Sequence, residues 1–396
     1  MAEAKNTVFL PENCKLRRVP MFPDVQRSEQ FMSQFDQRGI FYSVFRSADG
    51  KGIWFIGPEL MSLASHIQEM HVVGRRSRIQ KKMCFVKSRA ALIGYVSMPA
   101  DETEVDISLG GIVITAAVGD NYSEKMDASR IVYAINKDND LDWIADWAKF
   151  YSREHGADSI VIFDNGSKTY ETADLRRLLA SIDGLTNAHV VNWEFVFGAL
   201  DPVAQSRKTH FSIMFAQPVM HLELYLRYGF HARSILNVDI DELVVSKRSR
   251  SIFEVTEKRL FGCVKFERFL VENVIDGDVA FPSFLDFVFR NKENLGRQDR
   301  YKKWAFSPKR VKRTSKVALP NTHWVDGVVN PYPTSQEFVC YHFAGITSGW
   351  RVRDDVDVSR EWQHKRHIAE PYDPNKHVKD EFLASKLQEI FGRDDE

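Results

Sequence analysis

The stretch "SILNVDIDELVV", Ser234–Val245, carries the reading of the fold. The apolar run Ile235 to Val238 has strand character and climbs into Asp239, Asp241 and Glu242, after which apolar residues resume. Three carboxylates at the end of a buried strand repel one another and lose hydration, which is costly unless something positive joins them. Asp-x-Asp at a strand end suits a hard divalent cation, because Mg²⁺ and Mn²⁺ take carboxylate oxygens and leave their other positions to water and phosphate. An isolated Asp-x-Asp is a turn or a helix cap, so the surroundings decide.

Upstream, strand and helix patterns alternate. Arg130–Ile135, Ser159–Asp164 and Ala188–Trp193 read as strands. Between the first two lies "LDWIADWAKFYSREHG", with Trp143, Trp147, Phe150 and Tyr151 at i, i+4, i+7 and i+8, a helical stripe. Thr172–Ile182 reads as an amphipathic helix with Thr172 as its cap, and Gln217–Gly229 as a further helix. This rhythm predicts an α/β fold with a mostly parallel sheet. Ligands of such sheets gather outside the carboxyl ends of the strands, near a switch point. Asp164 and Asp239 stand at two such ends, which makes them one candidate site.

Residues before this region read as β structure. Asp49-Gly50 signals a hairpin, and Thr103–Leu109 alternates as a half-buried strand does. The expected division is a β-rich accessory domain over 1–128, an α/β domain over 129–345 and a helical tail over 346–396. Lys+Arg and Asp+Glu both total 54, so bulk charge calls for no nucleic-acid partner. Four cysteines, Cys14, Cys84, Cys263 and Cys340, stand far apart, arguing against a zinc site or a disulfide framework and for a reducing compartment. The start has no signal-peptide pattern, and no apolar run reaches the ~20 residues of a membrane helix. A cytoplasmic protein is expected, with peripheral contact to the inner face of a membrane left open.

"ADSIVIFDNGS" (Ala157–Ser167), followed by "SILNVDIDEL", resembles the GT-A glycosyltransferases, closest to their family 2-like and family 92-like groups. Their motifs are a strand ending in D-N-G-S and a strand ending in D-x-D-E. The resemblance covers about 130 to 350, where "VCYHFAGITSGWR" (Val339–Arg351) is similar to the closing His-aromatic motif. The chain departs from the pattern at Asn136-Lys137-Asp138, in place of Asn-Glu, and at His342-Phe343, in place of His-Tyr. The resemblance implies a nucleotide-sugar donor, Mn²⁺ or Mg²⁺ as cofactor, and a glycan or glycolipid acceptor. Asn136, Asp138 and Asp164 would hold the nucleoside, with Gln217 and Lys309 also on the donor. Asp239, Asp241 and His342 would hold the metal, and Glu242 would brace the turn or approach the sugar. Inversion at the anomeric carbon is likewise implied by the resemblance alone. The rival expectation is a non-catalytic carbohydrate- or nucleotide-binding protein on the same fold.

Other patterns fall away. "DNDLD" (Asp138–Asp142) begins like an EF-hand loop, but Trp143 and Lys149 occupy its required Gly and Glu positions. A haloacid dehalogenase signature fails at Leu243. The segment Gly296–Lys316 has nine Lys or Arg against Asp299 alone, a net +8. It reads as a solvated surface, as a lid over a diphosphate with Lys303 and Lys309 on phosphate, or as a patch for anionic lipid through 297–316. A general base for the acceptor hydroxyl is expected downstream, at Asp286 on a helix or at Glu267.

Overall fold

The computed structural model describes residues 6–20, 27–88, 91–200, 212–295, 299–314, 318–327, 334–348 and 369–392. The chain forms two compact units: residues 1–126 with 194–230 and 319–321, and residues 127–193 with 231–318 and 322–396.

The first unit is built on two four-stranded antiparallel sheets. One joins Ser43–Arg46, Gly52–Pro58, Cys84–Lys87 and Ala91–Ser97, and the other His71–Gly74, Gln80–Lys82, Glu104–Leu109 and Ile112–Ala117. Gly110 and Gly111, both at positive φ, turn the hairpin between the last two strands, a backbone conformation that L side chains resist. Alternation in Glu104–Leu109 sends Val105, Ile107 and Leu109 into the core. Residues 194–230 return to this unit with the pair Gly198–Leu200 and Ser212–Met214, then the helix Ala216–Glu223, which continues as a π-turn to Tyr228.

The second unit is organised by one eight-stranded sheet of strands β1 (Arg130–Asn136), β2 (Ser159–Asp164), β3 (Asn187–Asn192), β4 (Ser234–Asn237), β5 (Glu242–Ser246), β6 (Cys263–Val271), β7 (Asp299–Phe306) and β8 (Thr334–Phe343). Their order is β3-β2-β1-β4-β7-β6-β8-β5. The first four pair in parallel, as the alternating sequence predicts. β7 then runs antiparallel to β4 and β6, and β5 antiparallel to β8, so the sheet is mixed. Helix α1 (Leu141–His155) crosses from β1 to β2. Asp140 caps its first turn by accepting from the Asp142 amide, and Gly156 at φ 64° ends it. Helix α2 (Thr172–Ala180) follows β2. Its cap is Glu171, whose amide donates to Asp174, rather than Thr172.

Ile144, Trp147, Phe150 and Tyr151 of α1 join β1, β2, β4 and β5 in one core. The helix Glu381–Phe391 buries Leu383, Leu387 and Ile390 in that core, so the C-terminal residues described here belong to the second unit. No helix among the described residues is long and apolar enough to cross a membrane.

Candidate active site

The strand order reverses at β1: β2 lies on one side of it and β4 on the other. The carboxyl ends beside such a reversal are the usual ligand position of an open α/β sheet. Asn136 ends β1 level with Asp164 at the end of β2. Asn237 ends β4 level with Tyr133 of β1, and Asp239 follows two residues later.

On the β1–β2 side, side chains form a closed network. Asn136 Nδ2 donates to Asp164 Oδ1 (2.8 Å) and to the Tyr170 hydroxyl (2.8 Å), while Asn139 Nδ2 donates to Asn136 Oδ1 (2.9 Å). Ser167 donates through its hydroxyl to Asp164 Oδ1 (2.6 Å) and through its amide to Oδ2 (3.1 Å). Asp138, at φ 53°, accepts on Oδ1 from the Thr169 amide (3.0 Å) and hydroxyl (3.1 Å). The Asp138 amide in turn donates to Ser167 Oγ (2.9 Å). Asn136, Asp138 and Asp164 are thus brought together, and D-N-G-S is the turn that holds them. Burial of Tyr170 raises its hydroxyl pKa, although Ser167 and Asn136 oppose this, so it stays a neutral donor and acceptor.

On the β4 side, Asp239, Asp241 and Glu242 bring one carboxylate oxygen each within 4.8 Å of the others. The counter-charge missing from the quoted stretch comes from two distant strands. Lys303 of β7, 1% exposed, places Nζ 2.9 Å from Asp239 Oδ2 and 3.0 Å from Glu242 Oε2. Arg268 of β6 places NH1 2.9 Å from Glu242 Oε1. Burial alone would lower the Lys303 pKa, but Asp239 and Glu242 outweigh it and raise it, so the ammonium is permanent at neutral pH. Glu242 also accepts the Asp239 amide on Oε2 (2.8 Å), closing the turn on itself.

The helical stripe of α1 fixes this turn from behind. Trp147 Nε1 donates to the Asp239 carbonyl (3.0 Å). The Tyr151 hydroxyl donates to the Glu242 carbonyl (2.8 Å) and accepts from the Val244 amide (3.1 Å). His155 bridges the Val244 carbonyl at Nε2 (2.6 Å) and the Ile252 amide at Nδ1 (3.2 Å), which requires the neutral Nε2–H tautomer. Burial lowers its pKa to about 4 and keeps that tautomer.

Asp239 and Asp241 remain 22% and 24% exposed, so solvent reaches them. His342 of β8 sets Nε2 3.2 Å from Asp241 Oδ2. Burial acts to lower the His342 pKa, yet Asp241 raises it overall. Two solvent-reached carboxylates with an imidazole beside one of them fit a hard or borderline divalent cation. Glu242 does not fit that role, because it is fully buried and both its oxygens are engaged by cations.

Other expected residues fall elsewhere. Glu242 braces the turn and is closed to substrate, which removes it as a catalytic group. Asp286 lies in a turn rather than on a helix, its Oδ2 accepting from the Ser283 amide (2.7 Å) and hydroxyl (3.0 Å). Glu267 faces Lys302 at 3.6 Å. Gln217 is buried on the helix Ala216–Glu223, which belongs to the first unit. Lys309 is exposed on a helix, Pro308–Thr314, that follows Phe306; Phe306 pairs with Ile235 at the start of β4, so Lys309 lies past the sheet edge opposite Asp239. The basic segment is therefore no lid over its described length: Asp299–Phe306 is an internal strand with Trp304, Ala305 and Phe306 fully buried. Arg297 and Lys316 at its ends, and the residues from 349 onward in the closing motif, lie outside the described residues. Arg268 escaped the sequence reading because only the sheet register brings it to Glu242, and Asn139 and Tyr170 escaped it because uncharged residues in the turns after β1 and β2 carry no signal of their own.

No protein-family model matches the chain, and no curated protein matches it. Among solved structures, it is similar to galactosyltransferase LgtC in complex with donor and acceptor sugar analogues, at 15% identity and TM-score 0.27, over 67% of this chain and 95% of that one. It is also similar to the apo bifunctional glycosyltransferase WbbM, at 11% identity and TM-score 0.23, over 51% of this chain and 36% of that one. Both similarities are slight, and the assignment below stands on this chain's own residues.

Proposed function

We propose that this chain is a GT-A-type glycosyltransferase that moves a hexose from a nucleotide-diphosphate sugar, a UDP-sugar, to a hydroxyl of a glycan or glycolipid. One observation carries the reading: two polar groups of different chemistry flank the point where the strand order reverses, an amide–carboxylate network on one side and solvent-reached aspartates on the other. Asn136, Asp164, Ser167 and Tyr170 offer donors and acceptors suited to a nucleoside's ribose and base edges. Asp239 and Asp241, with His342 beside Asp241, would hold Mn²⁺ or Mg²⁺. When bound, the ion would neutralise the diphosphate and stabilise it as a leaving group. Glu242, Lys303 and Arg268 keep the aspartate turn in place, and the indole of Trp147 holds its backbone.

A second reading, a non-catalytic nucleotide or carbohydrate binder, draws on Lys303 and Arg268, since a carboxylate turn whose charge is largely offset from within is stable without an ion. Thermal shift across nucleotide-sugars with and without Mn²⁺ tests donor binding. A UDP-sugar with Mn²⁺ should raise Tm by several degrees, as ligand well above its Kd stabilises by about 2 to 3 kcal/mol. No shift with any nucleotide-sugar would count against the transferase and against a nucleotide binder. Release of UDP from a bound UDP-sugar separates transferase from binder.

A further inference from the structure

The carboxylate turn carries its own fixed cation, and this bears on when a metal can bind. Asp239, Asp241 and Glu242 contribute three negative charges, and Lys303 and Arg268 contribute two positive ones, leaving the five groups at −1. Cation sites gain affinity with ligand charge and site rigidity. A site at −1 that includes a nearby ammonium is a weak one.

The ammonium cannot leave to make room. Lys303 lies inside β7, level with Phe266 of β6, and the next residue, Trp304, is level with Asn237 of β4. Trp304 and Ala305 are fully buried, and Nζ touches both Asp239 and Glu242. A surface lysine would swing away at little cost, whereas this one, 1% exposed, would be a buried charge parted from both of its carboxylates.

We propose that Lys303 is a built-in counter-ion that keeps the aspartates from retaining a divalent cation by themselves, so that the cation is held only together with a nucleoside diphosphate. The diphosphate's negative charges restore the attraction that Lys303 removes, and its oxygens fill the coordination positions that two carboxylates leave open. Lys303 is on this account a positioning residue that sets the order of binding. The proposal rests on the donor and metal reading given above.

The test is Mn²⁺ binding followed by the electron paramagnetic resonance of free Mn²⁺, with and without UDP, on the full chain. The wild type should bind Mn²⁺ weakly alone and at least about tenfold more tightly with UDP. Lys303→Gln, which keeps a hydrogen-bond donor but no charge, should bind Mn²⁺ alone at least about tenfold more tightly than the wild type, since one unit charge at this range acts strongly on a divalent ion. Mn²⁺ should also raise the Tm of Lys303→Gln more than that of the wild type, and Lys303→Arg should behave as the wild type. Should Lys303→Gln fail to fold, Arg268→Gln removes one charge from the other side of Glu242 and faces the same expectation. Unchanged or weaker Mn²⁺ affinity in the charge-removed variant, with tight UDP-dependent binding in the wild type, overturns the role of Lys303 and leaves the metal reading standing. Absence of Mn²⁺ binding in the wild type even with UDP overturns both.

Discussion

Lys303 sets its ammonium 2.9 Å from Asp239 and 3.0 Å from Glu242, and so holds the aspartate turn from a strand remote in sequence. The acid cluster is visible in Asp239-Ile240-Asp241-Glu242, but its partner stands 64 positions away in a segment whose nine cations suggest a solvated face. Charge in sequence says how much cation is present, not which ammonium is folded inward; that depends on the pairing of β7 with β4. The strand-end carboxylate Asp164 was legible because D-N-G-S is local, its serine and its aspartate three residues apart. Asp164 now takes three bonds from Asn136 and Ser167. Replacing it with Asn puts an amide opposite the Ser167 amide and sets two donors against each other. We expect Asp164→Asn to weaken UDP binding at least tenfold by calorimetry and to cost about 1–3 kcal/mol of stability. Wild-type affinity for UDP in that variant would take the nucleoside away from this network.

At the scale of elements, the four parallel strands and α1 were legible because hydrophobic period and strand length are local properties. The antiparallel half was not, since β6 finds β7 and β8 only through long-range pairing. The stripe on α1 also does more than pack. Tyr151 and His155, one turn apart, hold the backbone of β5 that follows the aspartates. Tyr151→Phe leaves the Glu242 carbonyl and the Val244 amide short of a partner, and should cost about 1–3 kcal/mol in urea denaturation. A cost near zero would make the hydroxyl dispensable. His155 gives a pH signature. Its folded pKa of about 4 lies below the unfolded 6.5, so the unfolded chain takes up a proton first as pH falls. Its contribution is full above pH 6.5 and is lost progressively towards pH 4, on the order of 3 kcal/mol in all. The wild type should therefore lose more stability than His155→Gln between pH 7 and 4.5, and equal slopes would refute the assignment. The burial of β7 makes a further statement: native trypsin should not cut after Lys303, and rapid cleavage there would contradict the strand.

At the scale of the whole molecule, two polar groups that are far apart in sequence both lie at the carboxyl ends of β1, β2 and β4. Local turns supply one group, and a long-range charge pairing stabilises the other. Under the proposed function, the second unit would break the bond between a hexose and a nucleoside diphosphate with help from Asp241. The most direct measurement is UDP release from UDP-hexoses by the full chain, with Mn²⁺ or Mg²⁺ and after chelation, for the wild type and Asp241→Asn. Release is expected with at least one UDP-hexose, dependent on the cation, and lowered at least about hundredfold in Asp241→Asn while that variant keeps its fold, since losing one carboxylate also relieves repulsion in the turn. Full release by Asp241→Asn, or by the wild type after chelation, would contradict it.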